Sequence, residues 1–172
     1  MGLTPLDGFM MGTRSGAIDP SVVTFIMEKE HFSPSEMDVV LNKKSGMLGM
    51  TGISSDYRDV SAAAEAGNQD AINCLEAYAY RIIKYIGSYI AAMGGVDVIT
   101  FTAGLGENAI PLRETICKAF EFMGLEFDSE ANNCRGVEKI ITKEGSKITA
   151  CVIPTNEEIA ICEETVELVK GK

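Results

Sequence analysis

What this chain has little of narrows its chemistry first. It carries one histidine, His31, and five cysteines, Cys74, Cys117, Cys134, Cys151 and Cys162. No two cysteines stand in C-x-x-C spacing and their number is odd, which excludes a zinc signature and a disulfide framework. Reduced thiols are expected, with Cys151 and Cys162, which lie in apolar surroundings, in the core. Positive charge is scarce as well: 15 Lys and Arg against 25 Asp and Glu leave a formal net charge of −10, and no basic cluster offsets it. That excludes a nucleic-acid backbone as partner. Any polyanionic ligand would have to be met by backbone N–H groups, an arginine or a metal. No apolar run reaches the length of a membrane span, and the opening MGLTPLDGF lacks the basic and apolar regions of a signal peptide. A soluble, cytoplasmic protein with no membrane partner is expected. Low-complexity linkers and internal repeats are missing too.

What is present suits one compact domain, or part of a larger one. The 172 residues are 46% hydrophobic, enough to bury roughly 70% of the unfolded surface. IDPSVVTFIMEKEH predicts a first helix with Asp19 as N-cap and Pro20 at the first helical position. SPSEMDVVLNKKSG predicts a second, stopping at Gly46. After Gly67, Ile72, Leu75, Ala79, Ile82, Ile86, Ile90 and Met93 recur every three or four residues until Gly94-Gly95, which predicts a helix on the order of 40 Å long. It is first of all a core helix. VDVITFTA and KITACVIPT read as strands, the first of them buried. PLRETICKAFEFMG reads as a helix with Pro111 near its first turn. NEEIAICEETVELVK reads as a closing helix with Ile159, Cys162, Val166 and Val169 in one apolar stripe. Strands alternating with helices indicate an α/β fold, although two strands are too few for a complete doubly wound sheet.

The stretch FTAGLGENAIPLRE, Phe101 to Glu114, runs from strand-like residues through a glycine turn into a helix start. Glycines at such a turn let the backbone approach a ligand and aim free N–H groups at it. Gly104, Gly106 and Ala109 match the G-x-G-x-x-G/A fingerprint of NAD-binding folds. Asp128, in GLEFD, stands at about the spacing of the acid that holds a ribose. Glu107, however, puts a negative charge where a pyrophosphate would lie, and the fingerprint normally opens its domain. An NAD site, an ATP site and a turn with no ligand all remain open on these residues alone. Two further side chains stand out. Arg14, in GTRSG, lies between flexible glycines, and a guanidinium there has the planar fork that a transferring phosphoryl group requires; as an isolated residue it reads equally as a surface arginine. Thr155 to Glu158 fits a capping box, and acids favour a helix N-terminus in any case.

Four segments taken together, TPLDGFMMGTRSGAIDP, SSDYRD, FTAGLGEN and VIPTNEE, resemble the acetate kinase family. Their order and spacing resemble roughly the last two-fifths of such an enzyme, over nearly the whole chain. The first is the most specific, with its glycines, arginine and Asp-Pro all in family positions. The resemblance implies a ribonuclease H-like (actin-like ATPase) nucleotide-binding domain, incomplete at its N-terminal side, with residues 1–172 as a single segment. Propionate and butyrate kinases, actin, hexokinase and the 70-kDa chaperones share that superfamily. It implies reversible, ATP-dependent phosphorylation of acetate, or a similar short carboxylate, to an acyl phosphate, with ATP/ADP as substrate, Mg²⁺ as cofactor and a homodimer as the assembly, part of the long helix facing the partner.

Residue by residue, the resemblance implies that Arg14 stabilises the transition state. Gly104, Leu105, Gly106, Glu107 and Asn108 are the turn at the nucleotide's adenosine end, so that the acid there is no obstacle. Asp56, Tyr57 and Arg58 are a second nucleotide-contacting segment; Tyr57 stands where the family often has Phe or Met. Glu157 is the magnesium ligand, while Glu158 caps the helix. His31 inherits no role and reads as a helix-terminal surface residue. The Met10-Met11 pair and the methionines near Gly49 read as core or pocket lining. The family's N-terminal domain, with the acyl pocket, a catalytic aspartate and the phosphate loops, is expected to lie upstream. Acetate, propionate and butyrate are therefore not told apart. Two alternatives accompany this reading: a catalytically inactive nucleotide-binding or dimerisation remnant, and, more distantly, an NAD-binding fold. Unpaired sheet edges in such a segment favour dimerisation or aggregation.

Overall fold

The computed structural model describes residues 2–171. The chain divides into two compact units, Met1–Ala92 and Met93–Lys172. In the first, helices follow one another: α1 (Pro20–Glu30), α2 (Pro34–Lys43), α3 (Gly46–Thr51), α4 (Tyr57–Glu65) and α5 (Gln69–Met93). The start of α1 is the expected one. Asp19 accepts from the Ser21 amide at 2.9 Å, and Pro20 occupies the first turn, where its missing N–H costs nothing. His31 ends α1 in the left-handed region and is exposed. A capping box opens α2: the Ser33 side chain accepts from the Glu36 amide while the Glu36 carboxylate accepts from the Ser33 amide.

The long helix α5 lies where the three-four periodicity places it and buries Ala71, Cys74, Tyr78, Ala79 and Ile90. Tyr78 meets Phe9 edge-on at 5.6 Å and Tyr57 at 6.1 Å between ring centroids. Arg81 of α5 donates to the Ala17 carbonyl at 2.6 Å. The glycine-rich opening segment is thus anchored on α5 by ring packing and by a charged donor. Met10, Met37, Met47 and Val60 complete this core.

The second unit contains β1 (Val98–Phe101), α6 (Ala103–Asn108), α7 (Ile110–Lys118), β2 (Lys139–Ile140), β3 (Thr149–Val152) and α8 (Glu157–Lys170), with a 3-10 turn at Glu121–Met123. The strands form one sheet in the order β1-β3-β2. β1 pairs with β3 in parallel, Val98 opposite Thr149 and Phe101 opposite Val152, and β2 runs antiparallel to β3. One face of β1 is buried, through Ile99 and Phe101, as are Ala150 and Val152 of the paired β3 and Leu112, Ile116 and Phe120.

Arg113 is the unusual member of that core. It is 0% exposed, yet no carboxylate meets its fork, whose partners are oxygens of amide and carbonyl groups and the Cys134 sulfur. Nε donates to Asn132 Oδ1 at 2.8 Å, Nη1 to the Gly106 carbonyl at 2.9 Å, and Nη2 to the carbonyls of Asn132 and Cys134 at 2.9 and 2.8 Å. Burial pulls its pKa below the ordinary value. Carbonyl dipoles stand in for a counter-ion, and in return the guanidinium satisfies backbone oxygens of segments that carry no regular ladder.

Several expectations are corrected. Helix α2 ends at Lys43 and not at Gly46, which opens α3 instead. FTAGLGEN does not form an open turn: its residues 103–108 are a short helix, and α7 follows after the single residue Ala109. β1 is buried on one face only, with Val98 and Thr100 exposed. Every residue of α8 is exposed, the stripe Ile159, Cys162, Val166 and Val169 included. Apolar spacing specifies a helix face, and nothing in it specifies that the same unit covers that face. The buried cysteines are consequently Cys74 and Cys117; burial raises the pKa of both thiols, that of Cys117 to about 12, whereas Cys151 is half-buried and Cys162 exposed.

Replacing Arg113 by Met keeps the length of the side chain and removes every donor. The Cys134 carbonyl and Asn132 Oδ1 lose the donor that Arg113 gives them, while the Asn132 carbonyl keeps the Cys134 amide at 2.7 Å; at about 1–3 kcal/mol for each buried group so stranded, thermal unfolding of Arg113→Met is expected to show a loss on the order of 3 kcal/mol. Arg113→Lys recovers only part, because an ammonium cannot reproduce the planar fork.

Candidate active site

Arg14 sits on a turn held by main-chain bonds from two directions. The Met11 amide donates to the Arg14 carbonyl at 3.0 Å, closing the turn on itself. The carbonyls of Met11, Gly12 and Thr13 then accept from the amides of Met47, Leu48 and Ser45, at 2.9, 2.9 and 3.0 Å. These amides belong to the start of α3, where Ser45 supplies no side-chain cap. The turn is therefore the cap: free amides of a helix N-terminus are satisfied by carbonyls of the arginine turn. Close approach is possible because Gly46 has no Cβ. It stands at φ 63°, and an added Cβ would collide with the Met11 carbonyl oxygen and lie 2.8 Å from that of Arg14.

The Arg14 side chain is half-buried and touches Met11 Sδ through Nη1 at 3.6 Å. Among the described residues no carboxylate is bridged to it. With Met11, Gly12, Thr13 and Ser55 it lines a cavity of about 250 Å³. The cation and Ser55 of the SSDYRD segment are thus brought together within one unit. Met10 is buried and Met11 lines this cavity, as core and pocket residues should.

Asp56, Tyr57 and Arg58 open α4. Asp56 is its N-cap, accepting from the Arg58 amide at 2.8 Å. The Arg58 guanidinium forks onto the same carboxylate, Nε to Oδ1 at 3.0 Å and Nη2 to Oδ2 at 2.6 Å. This guanidinium, with the backbone amide of Arg58, holds the Asp56 pKa at about 2. Both ends of the pair are open to solvent, so the fork orients Arg58 more than it stabilises the fold. Burial of the Tyr57 ring raises its phenol's pKa.

In the second unit, the segments after β1 and β3 leave at the carboxyl ends of adjacent parallel strands, the position at which open α/β sheets receive ligands. The ladder is extended by the Ile153 amide, which donates to the Phe101 carbonyl at 2.9 Å. Gly104, Leu105, Gly106, Glu107 and Asn108 occupy α6, which begins with Ala103 at φ 59°. Asn108 donates back to the Gly104 carbonyl at 2.9 Å, and Arg113 holds the Gly106 carbonyl from below. Glu107 reaches across to the other segment. Its Oε1 accepts from both the amide and the hydroxyl of Thr155, each at 3.0 Å. The Thr155 amide is the first cause of the lowered Glu107 pKa.

Glu157 is the first residue of α8 and is exposed. The capping box expected from Thr155 to Glu158 does not form. Asn156 is the N-cap, accepting from the Ile159 amide at 3.1 Å, and Thr155 is bound to Glu107 instead. Among the described residues no group of three or more His, Cys, Asp or Glu gathers to hold a metal ion. A single exposed carboxylate is nevertheless a suitable donor for Mg²⁺, which keeps several waters and binds through one or two carboxylates together with substrate phosphates. Asp128 caps a turn through Oδ1, accepting from the amides of Glu130 and Ala131 at 3.0 and 2.9 Å. It supplies no support for the NAD reading.

Arg14 and residues 56–58 lie in the first unit, residues 104–108 and Glu157 in the second. The fold is that of the actin-like ATPases. A crystal structure of Porphyromonas gingivalis acetate kinase matches with a TM-score of 0.91 and 49% identity over 96% of this chain and 42% of that one. A propionate kinase from Francisella tularensis matches at 0.84 and 40% identity over 92% of this chain and 40% of that one. The acetate kinase of Lachnoclostridium phytofermentans is 55% identical over 169 residues, 98% of this chain and 43% of the relative. Residues 1–163 match the model of the acetokinase family, and the chain belongs to that family. It spans a little over two-fifths of the length of the relatives it matches, 43% of the first of them.

Three contributors escape a reading of the sequence. Ser55 lies in a quoted motif, yet nothing in the string shows that it lines the Arg14 cavity. Thr155 reads as a helix cap, because its partner Glu107 is 48 residues away. Arg113 lies in the helix PLRETICKAFEFMG, and nothing in the string shows that it is buried or that it reaches Gly106.

Gly46→Ala places a methyl group against the Arg14 turn at a positive φ. A loss on the order of 2 kcal/mol or more is expected in thermal unfolding, with displaced amide resonances at residues 11–14. The Asp56 carboxyl is expected to titrate near 2 in a carbon-detected NMR titration. Its folded pKa lies below the ordinary 3.8, so the stabilisation it gives α4 is complete above that ordinary value and is lost as pH falls through about 2. Asp56→Asn removes this acid-side dependence.

Proposed function

We propose that residues 1–172 form the nucleotide-binding part of an acetate kinase, an enzyme that moves the γ-phosphoryl group of ATP to acetate or a similar short carboxylate and runs equally in reverse. The observation that carries this reading is the pairing of β1 with β3, which sets FTAGLGEN and VIPTNEE side by side at the carboxyl ends of two parallel strands. Both are family motifs in a chain of that family.

In this reading Gly104, Leu105, Gly106 and Asn108 present backbone and amide groups to the adenosine end of the nucleotide, Glu107 completing the same turn. Asp56, Tyr57 and Arg58 contribute a second contact, with the Arg58 guanidinium able to exchange its carboxylate partner for an anionic ligand. Arg14 acts on the transferring group. Phosphoryl transfer spreads negative charge over three equatorial oxygens, and a guanidinium lowers the barrier most when it is already in place and lacks a competing carboxylate. The main-chain bonds that fix the Arg14 turn supply this preorganisation. Glu157 would hold Mg²⁺, which when bound neutralises charge on the phosphate oxygens. A cytoplasmic homodimer, with acetate, ATP and ADP as small-molecule partners, completes the proposal. No helix among the described residues is long and apolar enough to cross a membrane.

A second reading is nucleotide binding or dimerisation without catalysis. Calorimetric titration with ADP and ATP, with and without Mg²⁺, tests the first step common to both. Binding is expected, tighter with Mg²⁺, and about tenfold weaker in Arg58→Ala, the loss of one charge-assisted contact. A folded sample that binds neither nucleotide would overturn the proposal. If binding holds, acyl phosphate formation from acetate and ATP, trapped with hydroxylamine, separates the kinase from the inactive reading.

A further inference from the structure

Glu107 has an assignment that a nucleotide contact does not explain. At the adenosine end of a nucleotide there is no cation for this carboxylate to pair with, and it is already engaged within the protein. Both hydrogen bonds of Thr155, from its amide and from its hydroxyl, converge on a single oxygen, Oε1, at 3.0 Å. Each end of this link is itself braced. On one side, Arg113 grips the carbonyl of the preceding residue, Gly106, at 2.9 Å, and Arg113 is fully buried. On the other side, Thr155 is followed directly by Asn156, the N-cap whose side chain starts α8, and then by Glu157. A continuous series of hydrogen bonds thus runs from the buried guanidinium through α6 to the first turn of the last helix.

We propose that Glu107 is a positioning residue: its carboxylate latches the nucleotide turn to Thr155 and thereby sets the backbone from which the metal-binding Glu157 projects. This deepens the proposed function and rests on it for the roles of the two ends. The latch makes the two ends one body. A nucleotide that orders α6 also orders the approach to Glu157, so the latch adds to the coupling that ADP and Mg²⁺ already have through the phosphate oxygens. The acid in the turn is then required for its geometry and charge, since a carboxylate oxygen can accept two donors at once where most neutral acceptors accept less strongly.

Two measurements on the full chain test this. The first is hydrogen exchange in the absence of ligand. The Thr155 amide is expected to be protected in the wild type and to exchange about tenfold or more faster in Glu107→Ala, the loss of a single charge-assisted bond. Unchanged exchange at Thr155 would overturn the latch whatever the nucleotide does. The second is the ratio of ADP affinities with and without Mg²⁺, read by calorimetry. Glu107→Ala is expected to lower this ratio about fivefold and Thr155→Val to lower it less, because the amide at position 155 still donates to Glu107; the double variant matches Glu107→Ala alone, and Thr155→Ser retains the wild-type ratio. A merely structural role would weaken both affinities alike and leave the ratio unchanged, which contradicts the proposal. Should the wild-type chain bind no ADP, the proposed function fails, and the coupling fails with it, while the exchange result still decides whether the latch exists.

Discussion

Main-chain hydrogen bonding at places without a ladder is the constraint on which the site depends. A buried carbonyl or amide must find a partner, and in this chain the partners are unusual. The amides that open α3 are met by carbonyls of the Arg14 turn. The carbonyls around Asn132, Cys134 and Gly106 are met by one buried guanidinium. In each case satisfaction of the backbone also fixes a piece of the candidate site, so that stability and preorganisation draw on the same bonds. This is why glycine at position 46 and arginine at position 113 matter although neither is a site residue.

The parallel pairing of β1 with β3 has a comparable consequence in the second unit. Parallel neighbours end at the same edge, and the segments that follow them must leave together. α6 and the approach to α8 are thereby held within reach of a side chain, and Glu107 closes the remaining distance to Thr155. Electrostatics fits this arrangement. The chain is acidic overall, at −10, and its candidate contacts for an anion are single guanidiniums, Arg14 and Arg58, with backbone groups of a glycine-rich turn. Local geometry supplies what net charge does not.

Much of this was legible in the string. Asp19-Pro20 marks the start of α1, because both residues have a local physical reason to be there. The isoleucine repeat ending at Gly94-Gly95 defines α5 for the same reason. Both long strands were legible, and the four motifs place the chain in its family. Non-local features were not legible. Helix α3 is six residues long and capped by a distant turn, so no capping residue announces it. Strand β2 has two residues and exists only as a partner of β3. The stripe on α8 reads as a core face, yet in the structure it faces solvent, since periodicity reports an apolar side and is silent about what covers it. The capping box at Thr155 gave way because a carboxylate 48 residues away competes for the same hydroxyl.

The central claim is that the glycine-containing helix α6 after β1 receives a nucleotide. An amide-resolved NMR titration of the chain with ADP in the presence of Mg²⁺ tests it most directly. Saturable shifts at the amides of Gly104, Gly106 and Asn108 are predicted, with a smaller response at Thr155. Saturation by ADP that leaves these amides unmoved would contradict the account.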